Sequence, residues 1–246
     1  MERDYDAFVR ELGVYSRASP VEQLVLRVAR LFGECDADVP KGFVGEVERF
    51  IARWKSSGRL AAALHRARQR GYAAEIARVF ERSHLPPQYL FLAIQESNLD
   101  DRAMGPPTRY GIAKGMWQFI PPTGRDYGLR IGPLHGQRAY DPQDERFEWR
   151  KATAAAARYI RELTDTKAQG SGLLVMASYN WGEHNILGII QERPDNPQER
   201  NFWRLLADRR VPRETYDYVL SIFSAVVICE EPGRFGFRGE CPDASR

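Results

Sequence analysis

The chain contains 246 residues, 43% of them hydrophobic and 28% charged, with a formal net charge of +3. This length allows one large domain or two small ones, and the composition excludes a disordered chain, a collagen-like repeat and a disulfide-dense mini-protein. The longest apolar run, near Val219–Cys229, contains two serines and is shorter than the roughly 20 residues of a membrane span, so we expect no transmembrane segment. The weak positive charge does not indicate a nucleic-acid partner, and we expect a monomer that binds none.

Apolar residues recur at helical spacing through most of the chain, which predicts a mainly α fold. The first four predicted helices open, in order, at Pro20, Phe43, Arg59 and Tyr72, and the first three end at Gly33, Gly58 and Gly71. A fifth helix begins at Leu85–Pro87 and has the apolar body QYLFLAIQES.

The chain from Asn98 to Tyr140 is rich in glycine and proline, and a short hairpin within it is compatible with the sequence. A stretch this long and irregular inside a folded chain is typical of a segment that lines a site. Helices resume with Asp144–Thr164, with a segment that Ser171 can cap, and with a long last helix from Pro212.

The three cysteines and four histidines show no metal-ligand spacing, so we expect no metal and no cofactor. Cys229 and Cys241 flank the stretch EEPGRFGFRGE, which allows them to pair, although free buried thiols explain them equally well. A disulfide would indicate an oxidising compartment. Met1–Arg10 lacks the apolar segment of a signal peptide, so the chain is either cytoplasmic or a mature form or fragment.

Glu96 is the first candidate for chemistry. It lies near the end of an apolar helix, with Tyr89, Leu92 and Ala93 on the same face. Partial desolvation and the negative end of the helix dipole both disfavour the ionised carboxylate, so both raise its pKa towards that of a general acid working near neutral pH. Taken alone, the position is more typical of a glutamate that points into solvent at a helix end.

Three further motifs follow the Glu96-Ser97 pair in the sequence. They are G-M-W-Q-F-I-P at Gly115–Pro121, S-Y-N-W-G-E at Ser178–Glu183, and P-R-E-T-Y-D-Y-V at Pro212–Val219. In this order and spacing, the motifs resemble those of the soluble-type lytic transglycosylases, whose catalytic domain is similar to goose lysozyme. The resemblance is nearest to the membrane-bound type D branch of that family.

The resemblance extends roughly over Phe43–Phe237. It implies a lysozyme-like helical transglycosylase domain over residues 71–246, preceded by an N-terminal helical region over residues 1–70 that packs against it. It further implies that peptidoglycan glycan strands are the partner and that the protein acts in the periplasm or cell envelope.

The resemblance also implies that Glu96 is the single catalytic acid/base. Glu96 would protonate the oxygen between N-acetylmuramic acid and N-acetylglucosamine and would then take the proton of the muramoyl C6 hydroxyl, which attacks C1 and closes a 1,6-anhydro ring. No water enters, so the second carboxylate of an ordinary glycosidase is not required. Substrate-binding roles are implied for Gln118, Ile120, Tyr179, Asn180 and Tyr218, although a backbone-bonding structural amide is the alternative for Gln118.

The sequence departs from the family pattern nine residues after Glu96, where Gly105 replaces a serine that hydrogen-bonds the acid. We expect the long loop to form a wall of the groove, with Thr108 among the substrate-binding residues. In this position Thr108 or Tyr110 would support Glu96 in place of the serine. Trp181 occupies a position that a small residue often holds.

Two other functions stay open. A hydrolytic lysozyme of the goose type would need extra acidic groups to position a water, for which Asp100, Asp101 and Asp126 are candidates. A non-catalytic peptidoglycan-binding module would result if the change at Gly105 had removed the activity.

Overall fold

The structure, a computed structural model, describes residues 18–166, 170–196, 198–239 and 241–242. This part of the chain is mainly helical with one two-stranded sheet, which confirms the predicted fold class. Met1–Arg10, the segment from which we expected no signal peptide, lies outside the described residues. Among the helices that are described, none is both long enough and apolar enough to cross a membrane.

The helices fall into two groups, one before the irregular stretch and one that begins with a short helix inside it. The first group comprises α1 (Pro20–Leu31), α2 (Phe43–Ser57), α3 (Arg59–Arg70), α4 (Tyr72–Arg82) and α5 (Leu90–Ser97). The second comprises α6 (Pro121–Asp126), α7 (Trp149–Asp165), α8 (Gly172–Trp181), α9 (Glu183–Gln191), α10 (Phe202–Leu205), α11 (Arg213–Glu230) and α12 (Pro232–Phe235). Short 3-10 helices cover Asp36–Asp38, Pro87–Tyr89 and Glu145–Phe147. Strands β1 (Met104–Thr108) and β2 (Gly111–Lys114) form an antiparallel hairpin, which confirms the β-structure that the sequence allowed.

Several helix ends follow the local signals in the sequence. Ser171 caps α8 as predicted, because its Oγ accepts a hydrogen bond from the Leu174 amide at 3.1 Å. Gly58 and Gly71 adopt left-handed backbone conformations and separate α2, α3 and α4. The helix predicted over Asp144–Thr164 is interrupted at its start, because the Asp144 side chain caps a separate 3-10 turn and α7 begins only at Trp149.

Helix α11 is the centre of the core. It is buried on most of its faces and packs against α1, α2, α5 and α8. The buried apolar side chains form one cluster from Leu24 to Phe237, so the helices before residue 70 share their core with those after it. A domain boundary at residue 70 stays a prediction.

Two buried cations hold the irregular stretch in place. The Arg146 guanidinium is paired with the Asp144 carboxylate, and its Nη1 donates to the backbone oxygens of Ile112 at 2.8 Å and Phe119 at 2.9 Å. The Lys114 ammonium donates to the backbone oxygen of Leu134 at 2.8 Å. Because buried cations are costly without partners, these contacts fix the hairpin and the loop after it in one arrangement.

Cys229 and Cys241 form a disulfide, with their Cα atoms 5.3 Å apart. Of the two alternatives that the sequence left open for this pair, the structure therefore has the paired one. The bond joins the chain after α12 to the last turn of α11. Cys35 is a free, exposed cysteine.

Gly115 is expected to tolerate no side chain. Its φ is +77°, and an added Cβ would lie 1.8 Å from the Arg146 backbone oxygen. Gly115→Ala should therefore lower the free energy of unfolding by at least about 2 kcal/mol in urea denaturation followed by circular dichroism. Gly45→Ala is the matched control: Gly45 is exposed within α2 with open space around it, so alanine should stabilise by ~0.5–1 kcal/mol. Equal stability of Gly115→Ala and the wild type would contradict this account.

Candidate functional site

A groove of about 810 Å³ opens between the end of α5, the β1–β2 hairpin and the junction of α8 and α9. The predicted site residues in its lining are Glu96, Thr108, Gln118, Ile120, Tyr179 and Asn180. The groove is also lined by aromatic and polar residues that surround these: Tyr110, Phe119, Tyr159, Trp181, His184 and Asn185. Tyr218 is buried and contacts Glu96, so all seven predicted residues lie at the groove or against its acid.

Glu96 is half-buried in the last turn of α5, and its Oε1 accepts a hydrogen bond from the Tyr218 hydroxyl at 2.5 Å. Burial raises the pKa of Glu96 to about 7, while the Tyr218 hydrogen bond and the positive charge of Arg59 oppose the rise. A carboxyl with this pKa exchanges its proton near neutral pH, as a residue that must act as both acid and base requires.

Ser97, the second residue of the Glu-Ser pair, anchors the end of α5. Its Oγ donates to the Met116 backbone oxygen at 2.7 Å and accepts from the Asp100 amide at 3.2 Å. The serine thus ties the helix that carries Glu96 to the G-M-W-Q segment, which brings the first two motifs together on one side of the groove.

Gln118 has a left-handed backbone conformation, with φ at +49°. Its side-chain Nε2 donates to the Gly115 backbone oxygen at 2.7 Å, so the amide is braced by the backbone while it lines the groove. A Cβ on Gly105 would lie 3.2 Å from Gln118 Oε1 and 3.3 Å from the Ala113 Cβ. The hairpin therefore approaches Gln118 closely at position 105, and a side chain there would require small shifts of Gln118 and Ala113.

The S-Y-N-W-G-E motif supplies two oriented polar side chains at the end of α8. The Tyr179 hydroxyl donates to the Trp117 backbone oxygen at 2.8 Å. The Asn180 Oδ1 accepts from the Thr215 hydroxyl at 3.0 Å, an assignment that leaves the Asn180 Nδ2 to face a ligand. The threonine of the P-R-E-T motif thus sets the orientation of the asparagine of the preceding motif.

The support of Glu96 by Thr108 or Tyr110 that the sequence led us to expect is not found in the structure. The Thr108 hydroxyl donates to the Gly111 backbone oxygen at 2.7 Å and accepts from the Tyr110 amide at 3.2 Å, so it closes the hairpin turn. The Tyr110 hydroxyl accepts from Arg109 and its ring is exposed. Glu96 is instead held by Tyr218, while the long loop does form a wall of the groove as expected.

Sequence reasoning missed Arg59, Thr215 and Tyr159. Arg59 lies on a basic helix far from the motifs in sequence, and its charge acts on Glu96. Thr215 belongs to the P-R-E-T motif, so its place in that motif could have indicated that it lies near the site. Tyr159 lies on α7, where it packs against the core and also lines the groove.

The three aspartates proposed for a hydrolytic water are absent from the described lining of the groove. Asp101 instead accepts a hydrogen bond from the Tyr72 hydroxyl at 3.3 Å. Within the described ranges, no group of three or more histidine, cysteine, aspartate or glutamate side chains could hold a metal ion.

A family model described as Transglycosylase SLT domain matches residues 76–202, about half of the chain. This chain belongs to that family. The match covers Glu96, Gln118, Tyr179 and Asn180, and it confirms the family that the motifs indicated. The region that carries Tyr218 lies beyond the matched residues.

Curated relatives agree with the family. The chain is 30% identical over 175 residues to the membrane-bound lytic murein transglycosylase D of Escherichia coli K12, an alignment that covers 71% of this chain and 35% of the relative. The protein of the same name from Escherichia coli O6:H1 gives the same figures. The chain thus spans about a third of the length of the curated relatives that it matches.

Glu96→Gln is expected to stabilise the SLT domain at alkaline pH. The folded pKa of Glu96, about 7, lies above the ordinary 4.5, so its contribution to stability is complete below about pH 4.5 and is lost as pH rises through 7. Glutamine removes the cost of the buried charge, so the Tm difference between variant and wild type should grow from pH 5 to pH 8 in thermal melts. Glu214→Gln, at an exposed site, should show a constant difference. A constant difference for Glu96→Gln would contradict the raised pKa.

Proposed function

We propose that this chain is a peptidoglycan lytic transglycosylase that cleaves the β-1,4 bond between N-acetylmuramic acid and N-acetylglucosamine and leaves a 1,6-anhydro end. The observation that carries the proposal is the single carboxyl of Glu96 in the described lining of the groove, with its pKa raised to about 7 by burial. The family of the chain and the names of its relatives supply the class of substrate.

One carboxyl is sufficient for this reaction. Protonated Glu96 donates to the glycosidic oxygen, and the bond between that oxygen and C1 of the muramoyl residue breaks. The resulting carboxylate accepts the proton of the muramoyl C6 hydroxyl, and the C6 hydroxyl oxygen bonds to C1. Glu96 ends protonated, ready for the next cycle, and neither water nor a second carboxylate takes part.

The arrangement favours transglycosylation over hydrolysis. Ordinary glycosidases place a second carboxyl about 5–10 Å from the first, either to attack C1 or to activate a water. In the part of the chain that the structure describes, the groove offers no other carboxyl than Glu96. The hydroxyl groups of Tyr179 and Tyr218 stay protonated at neutral pH, because burial raises the pKa of both well above 10, so they act as hydrogen-bond donors.

Amide groups in the groove suit an N-acetylated sugar. The free Nδ2 of Asn180 can donate to an acetamido carbonyl, and the backbone-braced Gln118 presents its Oε1 as an acceptor. Ile120, Phe119 and Tyr159 give the groove an apolar wall against which a sugar ring can pack. These residues and Thr108 are the proposed binding set.

We place the activity in the periplasm or cell envelope. Peptidoglycan lies outside the cytoplasm, and the curated relatives are named as membrane-bound proteins. The Cys229–Cys241 disulfide is of the kind that persists in an oxidising compartment, which supports the same location.

Glu96→Gln is the direct test of the acid/base. The variant should fold and lose turnover by at least about 10²–10⁴-fold, because the same group serves both proton transfers. Release of soluble 1,6-anhydro muropeptides from purified peptidoglycan, quantified by mass spectrometry, is the measurement. Glu214→Gln, which changes an exposed carboxyl of the P-R-E-T motif, should retain wild-type activity.

Three outcomes separate the candidate functions. Anhydro products from the wild type and none from Glu96→Gln support the transglycosylase. Reducing ends in place of anhydro ends would identify a hydrolase. Binding to sacculi without release of any product would identify a binding module and overturn the proposal.

Tyr218→Phe should impair the reaction without removing it. The hydrogen bond that the Tyr218 hydroxyl donates to Glu96 lowers the pKa of the carboxyl, so loss of this bond should move the alkaline limb of the pH–rate profile to higher pH. We expect kcat to fall roughly tenfold, because the carboxyl loses the contact that fixes its rotamer. Tyr216→Phe is a control on the same helix, since the Tyr216 hydroxyl donates to the Asp208 backbone oxygen at 2.9 Å, away from the groove. An unchanged limb in Tyr218→Phe would show that the hydrogen bond does not act on the acid.

A further inference from the structure

An arginine from outside the family-matched stretch covers the end of the helix that carries Glu96. Arg59, the first residue of α3, donates from Nη2 to the Gln95 backbone oxygen at 2.8 Å and from Nε to the Asn98 Oδ1 at 2.5 Å. The last carbonyl groups of a helix have no partner within the helix and carry partial negative charge. The guanidinium therefore satisfies one of these carbonyls and offsets the negative end of α5 next to Glu96.

The guanidinium is held in this position by neighbouring helices. It lies over the indole ring of Trp54, 5.2 Å from the ring centroid. The indole Nε1 donates to the Ser221 backbone oxygen at 2.9 Å, and the Ser221 hydroxyl donates to the Gln95 Oε1 at 2.8 Å. Gln95, directly before Glu96, is thus bound through its carbonyl by α3 and through its side chain by α11.

In the part of the chain that the structure describes, three titratable side chains from neighbouring elements interact with the Glu96 carboxyl. Tyr218 from α11 and Tyr179 from α8 are neutral at neutral pH, while Arg59 from α3 is charged. Among the described residues, Arg59 is the cation whose charge lowers the pKa of Glu96. Burial lowers the pKa of Arg59 in turn, and the charge of Glu96 raises it.

We propose that Arg59 is a positioning residue for Glu96: its guanidinium caps the end of α5 and supplies the positive charge that balances the carboxylate formed between the two proton transfers. The proposal rests on the role of Glu96 as acid and base. Burial alone would raise the pKa of Glu96 further, and an acid that holds its proton too tightly donates it poorly. A nearby positive charge limits this rise, so that the carboxyl can both give up a proton and take one back. The N-terminal helices thereby contribute to the reaction as well as to the core.

The pH–rate profile of Arg59→Met tests the proposal. Loss of the cation should move the alkaline limb of anhydro-muropeptide release upward by about half a pH unit, the size of one charge at a helix end. Arg66→Met is the matched control: Arg66 is on the same helix and donates to the Asn98 backbone oxygen at 2.9 Å, yet its charge does not act on Glu96 among the described interactions. Its limb should stay in place. A limb equally unmoved in folded Arg59→Met would overturn the proposal.

Two further measurements keep the test decisive. Arg59→Lys keeps the charge and loses the forked hydrogen bonds, so the limb should stay in place while kcat falls severalfold; wild-type kcat in this variant would contradict the positioning role even if Arg59→Met fails to fold. Titration of the Glu96 carboxyl by ¹³C NMR, assigned with Glu96→Gln, should show the same upward shift in Arg59→Met. This titration decides the role of Arg59 even if the wild type releases no anhydro product, a result that would count against the proposed function alone.

Discussion

The hydrogen bond from Tyr218 to Glu96 joins the central helix of the core to the acid at the groove, across 2.5 Å. Helix α11 is buried on most of its faces, so the hydroxyl of Tyr218 has little freedom to move away. Burial favours the neutral form of the Glu96 carboxyl, and the hydrogen bond from Tyr218 limits how far burial raises the pKa of Glu96. Packing of the core and tuning of the acid are therefore one constraint: a change that shifts α11 also shifts the group that holds Glu96.

The groove wall depends on a second set of interactions, those of the buried cations beneath the irregular stretch. Regular helices position their side chains by periodic packing, but the hairpin and the G-M-W-Q segment have no such period. These two segments are positioned instead by Arg146, which binds backbone oxygens of both while Asp144 balances its charge. Because unpaired buried charges are so unfavourable, few other arrangements of this segment are compatible with the core. Gly115 contributes to the same arrangement, since its backbone lies against the backbone of Arg146.

The sequence predicted the helices, most of their ends and the acid, because apolar periodicity, glycine and serine caps and a carboxyl on an apolar face are local signals. Six of the seven predicted site residues line the groove, and their roles stay a prediction. The partner of Glu96 could not be read in the same way: Thr108 was near in sequence, but its hydroxyl is used by the hairpin turn, whereas Tyr218 reaches Glu96 through the packing of α11 on α5. The late start of the helix predicted from Asp144 escaped prediction, because the Asp144 side chain instead caps a separate 3-10 turn and pairs with Arg146, which is buried only in the fold.

The shared core has a consequence for how this chain can be divided. The family-matched residues 76–202 contain the acid and both amides, yet the hydroxyl that holds the acid and the guanidinium beside it come from segments on either side. A fragment excised at those borders would lose α11 and expose the apolar faces of α5 and α8 that it covers. A form of this chain that keeps Glu96 in its surroundings thus needs more than the family-matched residues, and grafting residues 76–202 alone onto another scaffold would transfer the Glu96 carboxyl without Tyr218 and Arg59.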